Sequence, residues 1–184
     1  MKKQGIGASV LRKEDRRFIT GRGRYVGDLI NPGMLRAVFL RSPHAHARVA
    51  VTDRREALQQ PGVVAVLTGT DMLADGLGTI PTQWAIPGTD GEPMYIPPYE
   101  GLASETLRFV GQAYAVVIAE TDAQARDAAE LVEVDFEDLE GAATLDAALA
   151  EGAPVVWDEK PDNVRLRWSN GDEAATRAAF DSAA

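Results

Sequence analysis

His44 and His46 are the two histidines of the chain, two positions apart in Arg41-Ser42-Pro43-His44-Ala45-His46-Ala47-Arg48-Val49. On extended backbone that spacing turns both imidazoles to one face, which could begin a metal site. A catalytic zinc takes three protein ligands and a structural one takes four. The chain has no further histidine and no cysteine, so carboxylates would have to complete the set. The expected role of the pair is structural: hydrogen bonding, or lining a domain interface.

The other reactive side chains point the same way. Glu133, Asp135, Glu137, Asp138 and Glu140 form one acidic cluster, and Asp158-Glu159 a second. On an alternating strand Glu133, Asp135 and Glu137 share the solvated face, and no spacing singles out an acid/base pair. Ser9, Ser42, Ser104, Ser169 and Ser182 lack the elbow surroundings of a nucleophile. Gly21 and Gly23 make part of a G-x-G loop, with no strand before them and no third glycine after. A tight turn feeding a strand at 24–29 is the better expectation. Residue chemistry assigns no catalytic, cofactor-binding or metal-ligating residue.

The bulk numbers set the frame for these residues. At 184 residues with 45% hydrophobic content, the chain can bury one proper core. No stretch reaches the roughly 18 apolar residues of a membrane span. Met1-Lys2-Lys3-Gln4 has no apolar run behind it, so no secretory signal is expected. Without cysteine this chain holds no disulfide, iron–sulfur cluster or thiolate metal site. A soluble cytoplasmic protein is the expectation. Charge is asymmetric: 13 Lys+Arg against 5 Asp+Glu up to Gln60, then 6 against 23. Either the two halves pair on folding, or the N-terminal segment is a cationic arm for an acidic partner or anionic cofactor. Scarce aromatic interleaving argues against nucleic acid.

Hydrophobic period and turn residues place the elements. Glu14-Asp15 among Arg12, Lys13, Arg16 and Arg17 predicts a self-neutralising turn or short helix. Asn31-Pro32-Gly33 is a turn, a strand follows at 34–40, Ser42-Pro43 ends it, and a second strand runs over 45–52. Asp53 is the expected N-cap of a short helix through Glu56, Ala57, Leu58 and Gln59. Pro61-Gly62 precedes Val63–Thr68, a continuous apolar run expected to be a buried strand. Residues 70–101, rich in Gly and Pro, are expected to lack regular structure, and Trp84, Met94, Tyr95, Ile96 and Tyr99 make them a loop that packs against something. Then come a strand at 113–119, a helix opened by Thr121 and Gln124 and running through Val132, and a strand at 132–137. A short helix at 145–149, strands at 155–157 and 164–168, and a helix from Asp172 to Ala184 complete the expectation. The chain ends there with no strand after the helix.

Four stretches together resemble the N-terminal part of molybdenum hydroxylase large subunits, the family of xanthine dehydrogenase, aldehyde oxidase and molybdenum-containing carbon monoxide dehydrogenase. They are Arg12-x-Glu14-Asp15-x-Arg17-Phe18-x-Thr20-Gly21-x-Gly23-x-Tyr25 with Asp28; the histidine stretch; Pro61-Gly62-Val63-Val64-Ala65-Val66-Leu67-Thr68 with Asp71; and 107–139, with Val110-Gly111, Ala115-Val116-Val117, Ala119-Glu120-Thr121, Ala128-Ala129 and Val134-Asp135-Phe136. Gly27, Tyr114 and Glu140 depart from the family's usual aspartate, small aliphatic and proline.

The resemblance implies an α+β fold, the α/β hammerhead, with a mixed sheet, short helices and a long Gly/Pro-rich loop. It implies residues 1–30 as a basic arm and first strand, 31–160 as the hammerhead domain, and 161–184 as the start of the connection to a missing cofactor-binding domain. The parent enzyme would carry molybdopterin and pass electrons to iron–sulfur and flavin subunits or domains. This chain alone would bind no cofactor, and its partner would be the cofactor-binding remainder of the large subunit. The alternative is a non-catalytic assembly or protein-interaction module built on the same fold.

Overall fold

The chain divides into two compact units, Met1–Met34 and Leu35–Ala184, and the computed structural model describes residues 5–183. Met1, Lys2, Lys3 and Gln4 of the basic arm, and Ala184, lie outside the described residues. In the first unit, helix α1 (Asp15–Ile19) is the expected self-neutralising element, with Arg12 2.9 Å from Asp15 and Arg17 2.7 Å from Glu14. The strand expected at 24–29 does not form. Val26–Asp28 is a 3-10 turn, because the Asp28 carboxylate accepts the Tyr25 N–H at 2.9 Å and offers the backbone an alternative to a ladder. The Phe18 and Tyr25 rings stack at 5.5 Å. A Cβ on Gly23 would lie 2.5 Å from the Phe18 ring, so glycine fits this turn.

The second unit runs β1 (Arg36–Arg41), β2 (Ala47–Asp53), α2 (Arg55–Leu58), β3 (Val63–Thr68), α3 (Gly69–Ala74), β4 (Thr106–Leu107), β5 (Ala113–Ala119), α4 (Asp122–Ala129), β6 (Glu133–Asp138), α5 (Leu145–Leu149) and α6 (Glu173–Asp181). The α+β class stands, but the strands form two three-stranded sheets, β1-β5-β3 and β4-β2-β6. Every pairing in them is antiparallel, so the expected mixed sheet is corrected. β5 takes the centre of the first sheet because it is apolar at every position, as a strand covered on both faces must be. Ala125 and Ala128 of α4 are fully buried against Val66, Val117 and Ala119, and their small side chains let the helix lie close to the sheet. A second cluster, Val49, Ala103, Leu107, Tyr114 and Ala115 with Phe136, joins the two sheets.

Several local expectations change in this tertiary setting. β3 is an edge strand rather than a buried one: it pairs with β5 alone, leaving Val64 56% and Leu67 39% exposed. α3 forms inside the stretch read as structureless, since Thr68 and Asp71 make a reciprocal cap. The N-cap of α2 is Arg54, while Asp53 accepts the Arg55 N–H at 2.8 Å. α4 stops at Ala129, short of Val132. The strands expected at 155–157 and 164–168 are absent. Instead the Arg165 carbonyl accepts the Tyr95 N–H (2.9 Å), and the Arg167 carbonyl accepts the Thr89 N–H (2.9 Å) and hydroxyl (3.3 Å), which pins the long loop. α6 follows the Asp172 cap, which accepts the Ala175 N–H at 2.8 Å. No helix of the described residues is long and apolar enough to cross a membrane.

Candidate functional site

The histidine stretch is a turn rather than a strand until Ala47. Ser42, buried at its start, sets the turn. Its N–H donates to the Gln112 carbonyl and its carbonyl accepts from Gly111, both at 2.8 Å. Its hydroxyl accepts the His44 N–H at 3.0 Å and donates to the His44 carbonyl at 2.8 Å. The imidazoles are then anchored separately at the end of β6. His44 Nδ1 lies 2.6 Å from the Asp138 carboxylate, and its ring sits 4.8 Å from that of Phe136. His46 Nδ1 lies 2.7 Å from the Glu140 carbonyl, and the His46 carbonyl accepts the Leu139 N–H at 3.0 Å. The pair thus bridges the start of β2 to the end of β6.

Among the described residues no three His, Cys, Asp or Glu side chains converge on a metal position. Glu133, Asp135 and Glu137 occupy the exposed face of β6. Arg48 reaches across that surface to Glu105 at 3.0 Å and Glu137 at 3.9 Å.

A cleft of about 540 Å³ lies elsewhere, between the end of β2, the β3–α3 corner, Ser104 and Tyr114. It opens because the chain leaves β2 at Ser104. The Glu100 carboxylate holds Ser104 through its N–H (2.7 Å) and hydroxyl (2.8 Å), and the Ala103 N–H goes to Ala113 of β5 at 2.8 Å. Gly69 belongs to the same wall: a Cβ there would lie 2.4 Å from the Ala103 carbonyl oxygen, too close for any side chain.

Arg54 spans the cleft wall, donating to the Val66 carbonyl at 2.8 Å and forking onto Asp71, with Nη2 to Oδ1 at 2.9 Å. Its hydrogen bonds hold the Asp71 carboxyl well below the usual carboxylate range, against an opposing push from burial, and Thr68 adds to the depression. Arg55 does the same to Asp53. Burial raises the Tyr114 phenol, which stays protonated at neutral pH. The Thr68-x-x-Asp71 spacing was readable as a cap, but nothing local in the sequence announces that Arg54 reaches it 17 residues away.

A molybdopterin cofactor is anionic, and the residues lining this cleft do not fit it. Each guanidinium already answers a carboxylate, Arg54 with Asp71 and Arg55 with Asp53, so an added anion would meet two carboxylates without a spare cation.

Comparison with known proteins agrees with the fold. The family described as aldehyde oxidase and xanthine dehydrogenase, a/b hammerhead domain, matches residues 20–140. The nicotine 6-hydroxylase large subunit of Paenarthrobacter nicotinovorans is 38% identical over 94% of this chain and 21% of its own length. The carbon monoxide dehydrogenase large chain of Afipia carboxidovorans is 37% identical over 99% of this chain and 23% of its own. A crystal structure of a Cu,Mo-CO dehydrogenase in its carbon monoxide reduced state superposes with a TM-score of 0.70 at 36% identity, covering 99% of this chain and 23% of that one. The chain therefore spans about a fifth of the length of the curated relatives it matches. It belongs to the molybdenum hydroxylase large-subunit family, with its α/β hammerhead domain at residues 20–140.

Proposed function

We propose that this chain is the N-terminal structural and interface domain of a molybdopterin-dependent hydroxylase or dehydrogenase, and that it has no turnover alone. The carrying observation is one of coverage: a relative aligns with 99% of this chain while 77% of its own length lies elsewhere. The geometry supports the same reading, because both histidines and both cleft arginines are engaged by partners within the chain. Molybdopterin would be held by the remainder of the large subunit, with residues 161–184 leading toward it. Iron–sulfur and flavin subunits or domains would take the electrons, and a cytoplasmic location goes with this reading.

The test is to affinity-tag the chain in its native host and purify it gently. The expected result is recovery with polypeptide matching the remaining four-fifths of a large subunit, carrying molybdenum in stoichiometric amount. That polypeptide is retrieved whether it is joined to this chain or separate from it. Recovery without any such polypeptide would overturn the proposal.

A further inference from the structure

Sheet β4-β2-β6 is one strand short along half of its central member. β4 pairs only with Ala47 and Arg48, and the Glu105 carbonyl takes the Val49 N–H at 2.8 Å. Backbone groups of a strand alternate in direction, so Val51, two residues on, presents its N–H and C=O to the same side. No strand of the described residues lies there, because Glu100 and Ala113 draw the chain away at Ser104 and Ala103. That side is the cleft of about 540 Å³.

We propose that this open edge of β2 is a docking groove for an extended, uncharged polypeptide segment, which adds a strand beside Val51 and offers a side-chain amide to the Tyr114 hydroxyl. Unpaired edge groups are a template for another strand. Tyr114 supplies the second, independent observation. It is only 7% exposed and lines the same cleft, and its hydroxyl has no hydrogen-bond partner among the described residues. That oxygen is not sealed off, since among the described residues no fully enclosed side-chain polar atom lacks a partner. A phenol that stays protonated keeps a proton to donate into the cleft.

Charge selects the acceptor. Asp53 with Arg55 and Asp71 with Arg54 leave the groove neutral, and their carboxylates disfavour an acidic side chain. A glutamine or asparagine amide meets both conditions. This inference rests on the geometry of the chain alone and does not depend on what the parent enzyme catalyses.

The experiment titrates the isotope-labelled full chain with three capped peptides, Thr-Val-Gln-Val-Thr and its versions with central Ala or Glu, followed by amide NMR. N-methylacetamide serves as the small-amide control. With the Gln peptide at saturation, exchange of the Val51 amide is expected to slow about tenfold. The Gln peptide is expected to bind about fivefold tighter than the Ala or Glu peptide, the worth of one hydrogen bond. Tyr114→Phe should erase that preference while the Ala peptide still protects Val51. Unchanged Val51 exchange with all three peptides overturns the proposal, as does equal binding of the Gln and Ala peptides. N-methylacetamide matching the Gln peptide would also overturn it, because the groove would then be a small-molecule site.

Discussion

Asp71 shows how one side chain serves several elements. Its carboxylate caps α3, accepts the Thr68 N–H at 2.8 Å and anchors Arg54 from the start of α2. Because its folded-state value lies below the ordinary 3.8, the unfolded chain takes up the proton first on acidification. The stabilisation is complete at neutral pH, begins to fall as pH drops through the ordinary carboxylate value, and is lost once pH passes the folded-state one. Asp71→Asn is expected to cost about 1–2 kcal/mol at pH 7, a figure reduced for a pair that is about one-third exposed. The gap between the urea midpoints of variant and wild type should narrow progressively as pH falls below the ordinary carboxylate value. A gap that stays constant from pH 7 to pH 2 would show that the carboxylate contributes nothing through its charge. The Thr68-x-x-Asp71 cap was missed in a stretch expected to lack regular structure, although its spacing is local, whereas the Arg54 fork depends on how two separate sheets come together.

At the scale of elements, α4 is the clearest match between pattern and packing. Thr121 accepts the Gln124 N–H, and the alanines that follow are those buried on β5. Their size matters more than their helix propensity, since the helix can approach the sheet only where side chains are short. Ala128→Leu is expected to lower stability by roughly 1–3 kcal/mol through overpacking. Exposed Ala123, on the same helix, should accept Leu within about 0.5 kcal/mol. Chemical denaturation of the two variants decides between packing and propensity, and equal losses would refute the packing account. β5 was legible residue for residue because its apolar run has the length and residue types of a central strand. The strand expected at 24–29 failed because a carboxylate three residues downstream took the backbone N–H of Tyr25. Those at 155–157 and 164–168 failed because their backbone found single loop partners in place of a neighbouring strand.

At the scale of the whole molecule, the histidines act as a clasp between β2 and β6. Replacing both His44 and His46 with Ala is expected to lower the thermal midpoint, each lost contact being worth about 1 kcal/mol. If the protein recovered with its large-subunit remainder kept its stability and molybdenum but lost turnover, the clasp reading would be replaced by a catalytic one. The purified 184-residue chain alone is expected to carry no molybdenum above background by elemental analysis, and a stoichiometric signal would refute that expectation.

By itself the sequence determined the α+β class, the family, and the positions of the main strands and of α4, because these follow from local period, capping and motif order. Only the tertiary structure decided that the strands form two antiparallel sheets, that β3 lies at an edge, and that the histidine pair is spent on the end of β6. The same holds for the cleft beside Val51 and Tyr114. Each of these depends on where the chain leaves one sheet for the other, and that choice is made by contacts between residues far apart along the chain, Ala103 with Ala113 and Arg54 with Asp71.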